Sequence, residues 1–303
     1  MTNGAPASTP PRCRLGRLTR ARAYDVVMAR RLRAIFEAAH IGPSVLVTLV
    51  TVLLAVVSGL EPWRVVVLGA TMAANQLSIG WSNDAIDATR DVDAARIDKP
   101  VVRGEVSPRT LMVLAVVAAG TSVVLSLVLG PAVVLINLIV IGAGWAYNAG
   151  LKRTVLATLC YVVAFGLLPL LVSLAREEPR PAAWWAIVMG AMLGLAAHFA
   201  NVLPDLNDDK RHGIRSLPHR LGARAAGAAA LASLVGAGVL GVLGPGGVTP
   251  VTIVGSAATI VLLGAGIVVL VRTPDSRALF RVIMLAALAA VVTLAGAAGS
   301  LVA

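Results

Sequence analysis

The sequence predicts an all-α, polytopic membrane protein with about nine transmembrane helices. Three observations carry that prediction: a mean hydropathy of +0.86, a charged fraction of only 14%, and repeated apolar stretches of spanning length. A soluble domain would carry roughly 25% charged residues, whereas a bilayer core needs about 20 apolar residues per spanning helix. Nine such stretches run over 44–60, 63–82, 110–129, 132–150, 154–175, 182–203, 222–243, 249–271 and 278–302. The last three are rich in Ala, Val and Gly, which blurs their ends. An odd number of spans puts the termini on opposite sides.

Charge sets the orientation, because basic residues concentrate on the cytoplasmic side of membrane proteins. With the N-terminus inside, 23 of the 26 Lys and Arg fall in cytoplasmic segments, and only Arg64, Arg176 and Arg180 fall outside. The net charge of +11 is therefore read as the face turned toward anionic lipid headgroups, not as a nucleic-acid surface. Residues 1–40 form a basic cytoplasmic tail without the apolar core of a signal peptide, and 41–303 form the membrane domain. Cys13 and Cys160 fall in the tail and in a span, so no disulfide or metal cluster is implied.

The loops on the outer side are short, and two cytoplasmic loops, 83–109 and 203–222, are long. These two hold 9 of the 15 acidic residues, on the membrane side that favours basic ones. The first contains Asn83, Asp84, Asp87 and Asp91; the second contains Asn201, Asp205, Asp208 and Asp209. Both fit Asn-x3-Asp-x3-Asp, both follow a span that exits on the same side, and they lie 118 residues apart with four spans per repeat. The chain thus reads as two pseudo-repeated four-helix halves.

If each helix continues past the membrane, positions i, i+4 and i+8 line one face. Three oxygen-bearing side chains then share one hard cation. Mg²⁺ takes oxygen ligands, typically one or two carboxylates plus substrate phosphates and water. Two opposed faces would hold two Mg²⁺ ions with a diphosphate between them. Pro204 can kink the second helix at this point. The complementary cations are Arg96, Lys99 and Arg103 after the first motif and Lys210, Arg211 and Arg215 after the second, with Lys152 and Arg153 in the short loop behind Tyr147. Such side chains grip phosphate oxygens. Within the spans, Asn75 shares a face with Asn83, and His198 precedes Asn201 by one turn. Intramembrane polar residues are functional candidates, and interhelical hydrogen bonding is the alternative.

At these residues the chain resembles the UbiA superfamily of intramembrane prenyltransferases. The first motif of that family, N-D-x-x-D-x-x-x-D followed by K/R-P and R-x-G, is matched by Asn83 to Asp91, Lys99-Pro100 and Arg103-Gly104. The second, D-x-x-x-D followed by G-[IK]-x-[TS]-L and L-G, is matched by Asp205 to Asp209, 213–217 and Leu221-Gly222. Tyr147 and Lys152 resemble a Tyr and Lys of the intervening loop. The resemblance implies nine helices around a central cavity and a prenyl diphosphate as substrate, its tail leaving through the membrane. It implies Mg²⁺ on Asn83, Asp87, Asp91, Asp205 and Asp209, with Lys99, Arg103 and Lys152 on the diphosphate. Asp84, Arg96, Asn201, Arg215, His198 and Asn75 complete the expected substrate set, and the four motif aspartates with Lys152 and Tyr147 the catalytic one. Many members carry Arg-Pro near the start of the first span, where this chain has His40-Ile41-Gly42-Pro43. That replacement argues against an acceptor whose carboxylate needs the Arg, such as 4-hydroxybenzoate.

Two other functions compete. A UbiA-type terpene cyclase would use the same metal site and trap the cation internally. A transporter would place its ionisable residues near the bilayer midplane, whereas here they cluster at the cytoplasmic edge. The acceptor stays open, as an aromatic or an alcohol.

Overall fold

Proline punctuates the fold. Pro62, Pro108, Pro131 and Pro250 each open a long helix, where the missing N–H has no helical partner to lose. In the computed structural model the described residues are 15–206 and 213–302, with side chains from residue 27. The helices are α1 (Leu15–Ala38), α2 (Ile41–Val57), α3 (Pro62–Asp93), α4 (Pro108–Leu129), α5 (Pro131–Ala149), α6 (Ala157–Gly166), α7 (Leu168–Leu174), α8 (Trp184–Val202), α9 (Leu217–Leu221), α10 (Ala223–Leu243), α11 (Pro250–Arg272) and α12 (Arg277–Gly296). Ser107, Thr249 and Ser276 cap α4, α11 and α12 by accepting a backbone N–H three residues on. The one β pairing among the described residues is a bridge between Ala182 and Val302.

All nine apolar stretches are helical. Among the described residues, seven segments are long and apolar enough to cross a membrane, with α6 and α7 together forming one of them. The bent pair α1–α2 would make an eighth. The stretch at 63–82 is the first part of α3, whose 32 residues span about 48 Å at 1.5 Å per residue. A hydrocarbon core is about 30 Å thick, so α3 projects well past it and carries the first motif as continuous helix. The basic tail is not structureless: residues 15–38 form α1, in keeping with the helix propensity of its Arg, Leu and Ala residues.

Each motif-bearing helix is the hub of its half. α3 packs against α2, α4 and α5, while α8 packs against α6, α10 and α12. Trp185, Met189, Leu193, Phe199 and Leu203 place the second hub in the main core. Its contact with α6 is backbone to backbone: a Cβ on Gly194 would lie 2.4 Å from the Tyr161 carbonyl oxygen, the small-residue packing that membrane helices use to approach closely. The first and last spans also meet, α2 touching α12.

Candidate active site

The hub helices converge on a cavity of about 910 Å³. Its mouth is polar, with Asn83, Asp87, Arg90, Arg96, Lys99 and Lys152 from the first half of the chain and Asn201 and Asp205 from the second. Its depth is apolar, walled by Val47 and Leu54 of α2, Leu168 and Leu193 of the middle helices, and Met284 and Leu288 of α12.

Helical geometry decides which motif residues reach the wall. Four residues turn an α-helix through about 400°, so each i+4 step drifts by roughly 40°. Asn83 and Asp87 line the cavity, while Asp91, a further step on, is buried beside it and takes a bond from Arg90 Nη2 at 3.2 Å. The same drift corrects the expectation for Asn75, eight residues before Asn83. Asn75 is fully buried and its Nδ2 donates to Asn137 Oδ1 at 2.9 Å. Asn137 in turn bonds Ser122, whose hydroxyl donates to the Thr71 carbonyl. Asn75 therefore locks α3 to α5 and α4, and Gln76 beside it is the residue in the cavity wall.

Asp87 sits in a dense charge arrangement. Lys152 Nζ donates to its Oδ2 at 2.5 Å and to Asn83 Oδ1 at 3.2 Å, and Arg90 Nη2 reaches the same Oδ2 at 2.9 Å. Burial pushes the Lys152 ammonium below the ordinary lysine value, against the pull of Asp87. Asn148 secures this placement: it is buried, and its amide donates to the Ile79 carbonyl and to Ser82 Oγ, fastening the end of α5 to α3. Gly150 then turns the chain into the 3₁₀ turn Leu151–Arg153.

Asp84 anchors a second cluster. Lys99 Nζ donates to Asp84 Oδ1 at 2.6 Å, and His40 Nε2 lies 2.9 Å from the same oxygen and 3.2 Å from Lys99. Burial would raise the Asp84 carboxyl, but the hydrogen bond with His40 and the charge of Lys99 outweigh it, so the group is held below the usual carboxylate range. His40 occupies the corner between α1 and α2, with φ 51° and ψ 52°. A Cβ on Gly80 would lie 2.5 Å from the Ala39 carbonyl oxygen. Only glycine lets the corner settle on α3 and bring the imidazole to Asn83 and Asp84.

The second motif is shaped by Pro204. α8 ends at Val202 and a 3₁₀ turn, Leu203–Asp205, follows, so Asn201 and Asp205 are not successive positions of one α-helical face. Both still line the cavity. Asp209, with Asp208, Lys210 and Arg211, lies outside the described residues. Arg96, in a double hydrogen bond with Asp98, also feels Asp91 and Asp205, one carboxylate from each motif.

Other expected site residues stand outside the wall. Arg103 Nη2 bonds Glu37 and Glu105. The backbone N–H of Arg215 donates to the Arg153 carbonyl, tying the second loop to the Lys152 turn, while its side chain is exposed. His198 is fully buried one layer back, 4.9 Å from the Tyr161 ring and 6.2 Å from Tyr147, and neither ring nitrogen has a hydrogen-bond partner among the described residues. Tyr147 and Tyr161, edge to face at 5.4 Å, both border the cavity. Sequence reasoning did not single out Arg90, although its i+3 spacing from Asp87 marks a helical ion pair. It also passed over the Ser216–His219 pair at 2.7 Å, which lines the same cavity.

Among the described residues no three His, Cys, Asp or Glu side chains group closely enough to hold a metal by themselves. The donors suit Mg²⁺ shared with a ligand instead. Asn83, Asp87 and Asp205 are oxygen donors lining one cavity, and both cations on Asp87 use Oδ2, leaving Oδ1 for a metal.

Comparison with known proteins finds relatives of the same fold. Over 187 residues the chain is 26% identical to the bacteriochlorophyll synthase 33 kDa chain of Cereibacter sphaeroides, a match that spans 56% of this chain and 59% of that protein. A UbiA homologue from Aeropyrum pernix superposes with TM-score 0.68 at 18% identity, covering 87% of this chain and 96% of that one. Digeranylgeranylglyceryl phosphate synthase superposes with TM-score 0.66 at 15% identity, covering 89% and 99%. A UbiA homologue from Archaeoglobus fulgidus bound to GPP and Mg²⁺ superposes with TM-score 0.63 at 13% identity, covering 86% and 98%. Residues 44–289 match the UbiA prenyltransferase family, a segment that takes in both acidic motifs and most of the cavity lining, and the chain belongs to that family.

Proposed function

We propose that the protein transfers a prenyl group from a prenyl diphosphate to an acceptor inside the membrane, at a site opening to the cytoplasmic side. The observation that carries this reading is one cavity that is acidic and cationic at its mouth and apolar in its depth. A diphosphate suits the first part and an isoprenoid chain the second. The relative bound to GPP and Mg²⁺ supports the same donor class.

Asn83, Asp87, Asp91, Asp205 and Asp209 would hold the metal, in two ions. Bound Mg²⁺ would supply Lewis-acid neutralisation of the diphosphate. Lys99, Lys152 and Arg96 would bind and orient the diphosphate oxygens with charge-assisted hydrogen bonds. The allylic C–O bond breaks with its electron pair leaving on the diphosphate. The acceptor carbon or oxygen then forms the new bond and releases a proton. Tyr147 and Tyr161, both in the cavity lining, would stabilise the positive charge that develops between, and the aliphatic walls would exclude water from it. His40, held by Asp84 and Lys99, stands where many family members carry an Arg, so we expect an acceptor neutral at its reacting end.

Purified protein incubated with radiolabelled prenyl diphosphates, Mg²⁺ and a membrane extract should yield a labelled lipid-soluble conjugate. A labelled hydrocarbon made without extract would point to the cyclase, and no consumption of any prenyl diphosphate would defeat the proposal. Uncharged phenols and polyols should be used better than 4-hydroxybenzoate. Robust use of the benzoate would remove the argument from His40.

A further inference from the structure

From residue 27 on, α1 has three faces with three different chemistries. Ala34 and Ala38 are fully buried and pack with Val106 and Leu111 beside the first motif loop. Arg33 points away, 82% exposed, and pairs with Glu37. Met28, Leu32 and Phe36, spaced i, i+4 and i+8, form an apolar stripe exposed at 45%, 51% and 60%. Across the corner, Ile41, Val45 and Leu49 of α2 are exposed apolar residues as well.

The helix cannot itself cross the bilayer, because Arg30, Arg31, Arg33 and Glu37 lie within its last three turns and charges at depth are costly. It bends by 60° against α2. An apolar stripe beside a basic surface, turned off the axis of the first span, suits the headgroup–acyl boundary. Eight arginines between residues 12 and 33 match an anionic leaflet.

The far end of α1 is wired to the cavity mouth. Trp81 Nε1 donates to the Ile35 carbonyl at 2.9 Å, Arg103 bonds Glu37 at 2.5 Å, and the next residues are the corner with His40 against Asp84 and Lys99. We infer that α1 lies on an anionic bilayer surface with Met28, Leu32 and Phe36 in the headgroup–acyl boundary, and that this seating holds the His40 corner and the Lys99–Arg103 loop in place at the cavity mouth. A consequence for turnover rests on the proposed diphosphate site; the seating itself does not.

The full chain, with both natural cysteines replaced by serine, is reconstituted in nanodiscs of phosphatidylcholine alone or with phosphatidylglycerol. A bimane probe on Leu32→Cys or Phe36→Cys should be quenched by brominated lipid more strongly than one on Arg33→Cys. Amide exchange over 94–106 in the otherwise unmodified protein should be at least threefold slower with phosphatidylglycerol, and Phe36→Glu should abolish that difference while matching the parent in phosphatidylcholine. Equal or stronger quenching at position 33, or exchange indifferent to lipid charge, overturns the inference. Neither readout requires turnover, so a failure of the proposed reaction would remain separate.

Discussion

Lys152 and Asp87 form a buried ion pair at 2.5 Å across 65 positions of the chain, with the helices α4 and α5 between them. The pair closes the first half of the protein on itself. Replacing Lys152 with Met leaves Asp87 to Arg90 alone and strands part of a buried charge. We predict a loss of about 1–3 kcal/mol of stability, visible as a lower Tm in detergent. The KM for prenyl diphosphate should rise at least tenfold. Unchanged values of both would remove Lys152 from the site.

Asp87 and Asp205 line one cavity and come from different elements, α3 and the turn after α8. Asp87→Asn and Asp205→Asn should each lower Mg²⁺-dependent turnover by about a hundredfold or more, equivalent to roughly 2.7 kcal/mol of transition-state stabilisation. Near-normal rates in either variant would mean that one motif suffices, and the shared metal site would be wrong.

Gly80 is predicted to be intolerant of any side chain, because its Cβ would collide with the Ala39 carbonyl. Gly80→Ala should cost about 1–3 kcal/mol, the usual range for overpacking, and Gly80→Val more. Thermal unfolding in detergent measures it; a Tm within a degree of wild type would show that the corner moves freely.

Asn75 donates its amide to Asn137 inside the helix bundle. A single Asn75→Leu should destabilise by about 1–2 kcal/mol, whereas joint replacement of both by Leu should recover much of that loss. KM should stay within twofold in every variant. A selective rise in KM for Asn75→Leu would return Asn75 to the substrate.

Topology is open to direct test. Reporter fusions after residues 105 and 178 should give opposite signals, cytoplasmic and external respectively. Matching signals would discard the orientation argued from the basic residues.

Much of the fold was legible because bilayer thickness imposes a length on every span, and the motif spacing was legible because side chains four apart share a helical face. Where these rules met accumulated geometry they reached less far. Asn75 and Asn83 look aligned on paper, but two successive drifts of about 40° carry Asn75 round to α5. Pro204 signalled a break without saying that a 3₁₀ turn would still deliver Asp205 to the cavity. Arg103 matched a family motif, yet its guanidinium bonds Glu37, a residue 66 positions away that no local pattern links to it. His198 was one turn from Asn201 in sequence, and the layer formed by Tyr147 and Tyr161 is a matter of tertiary packing.

The cavity is walled by both α2 and α12, the first and the last spans made. Chains emerge N-terminus first, so the chamber stands open along one side until the residues after 277 have been synthesised. His40, Asp84 and Lys99 all come from the first third of the chain and can neutralise one another long before that. This part of the acidic motif can thus be neutralised by its own half of the chain, and the α12 wall of the chamber is added only after both motifs have been made.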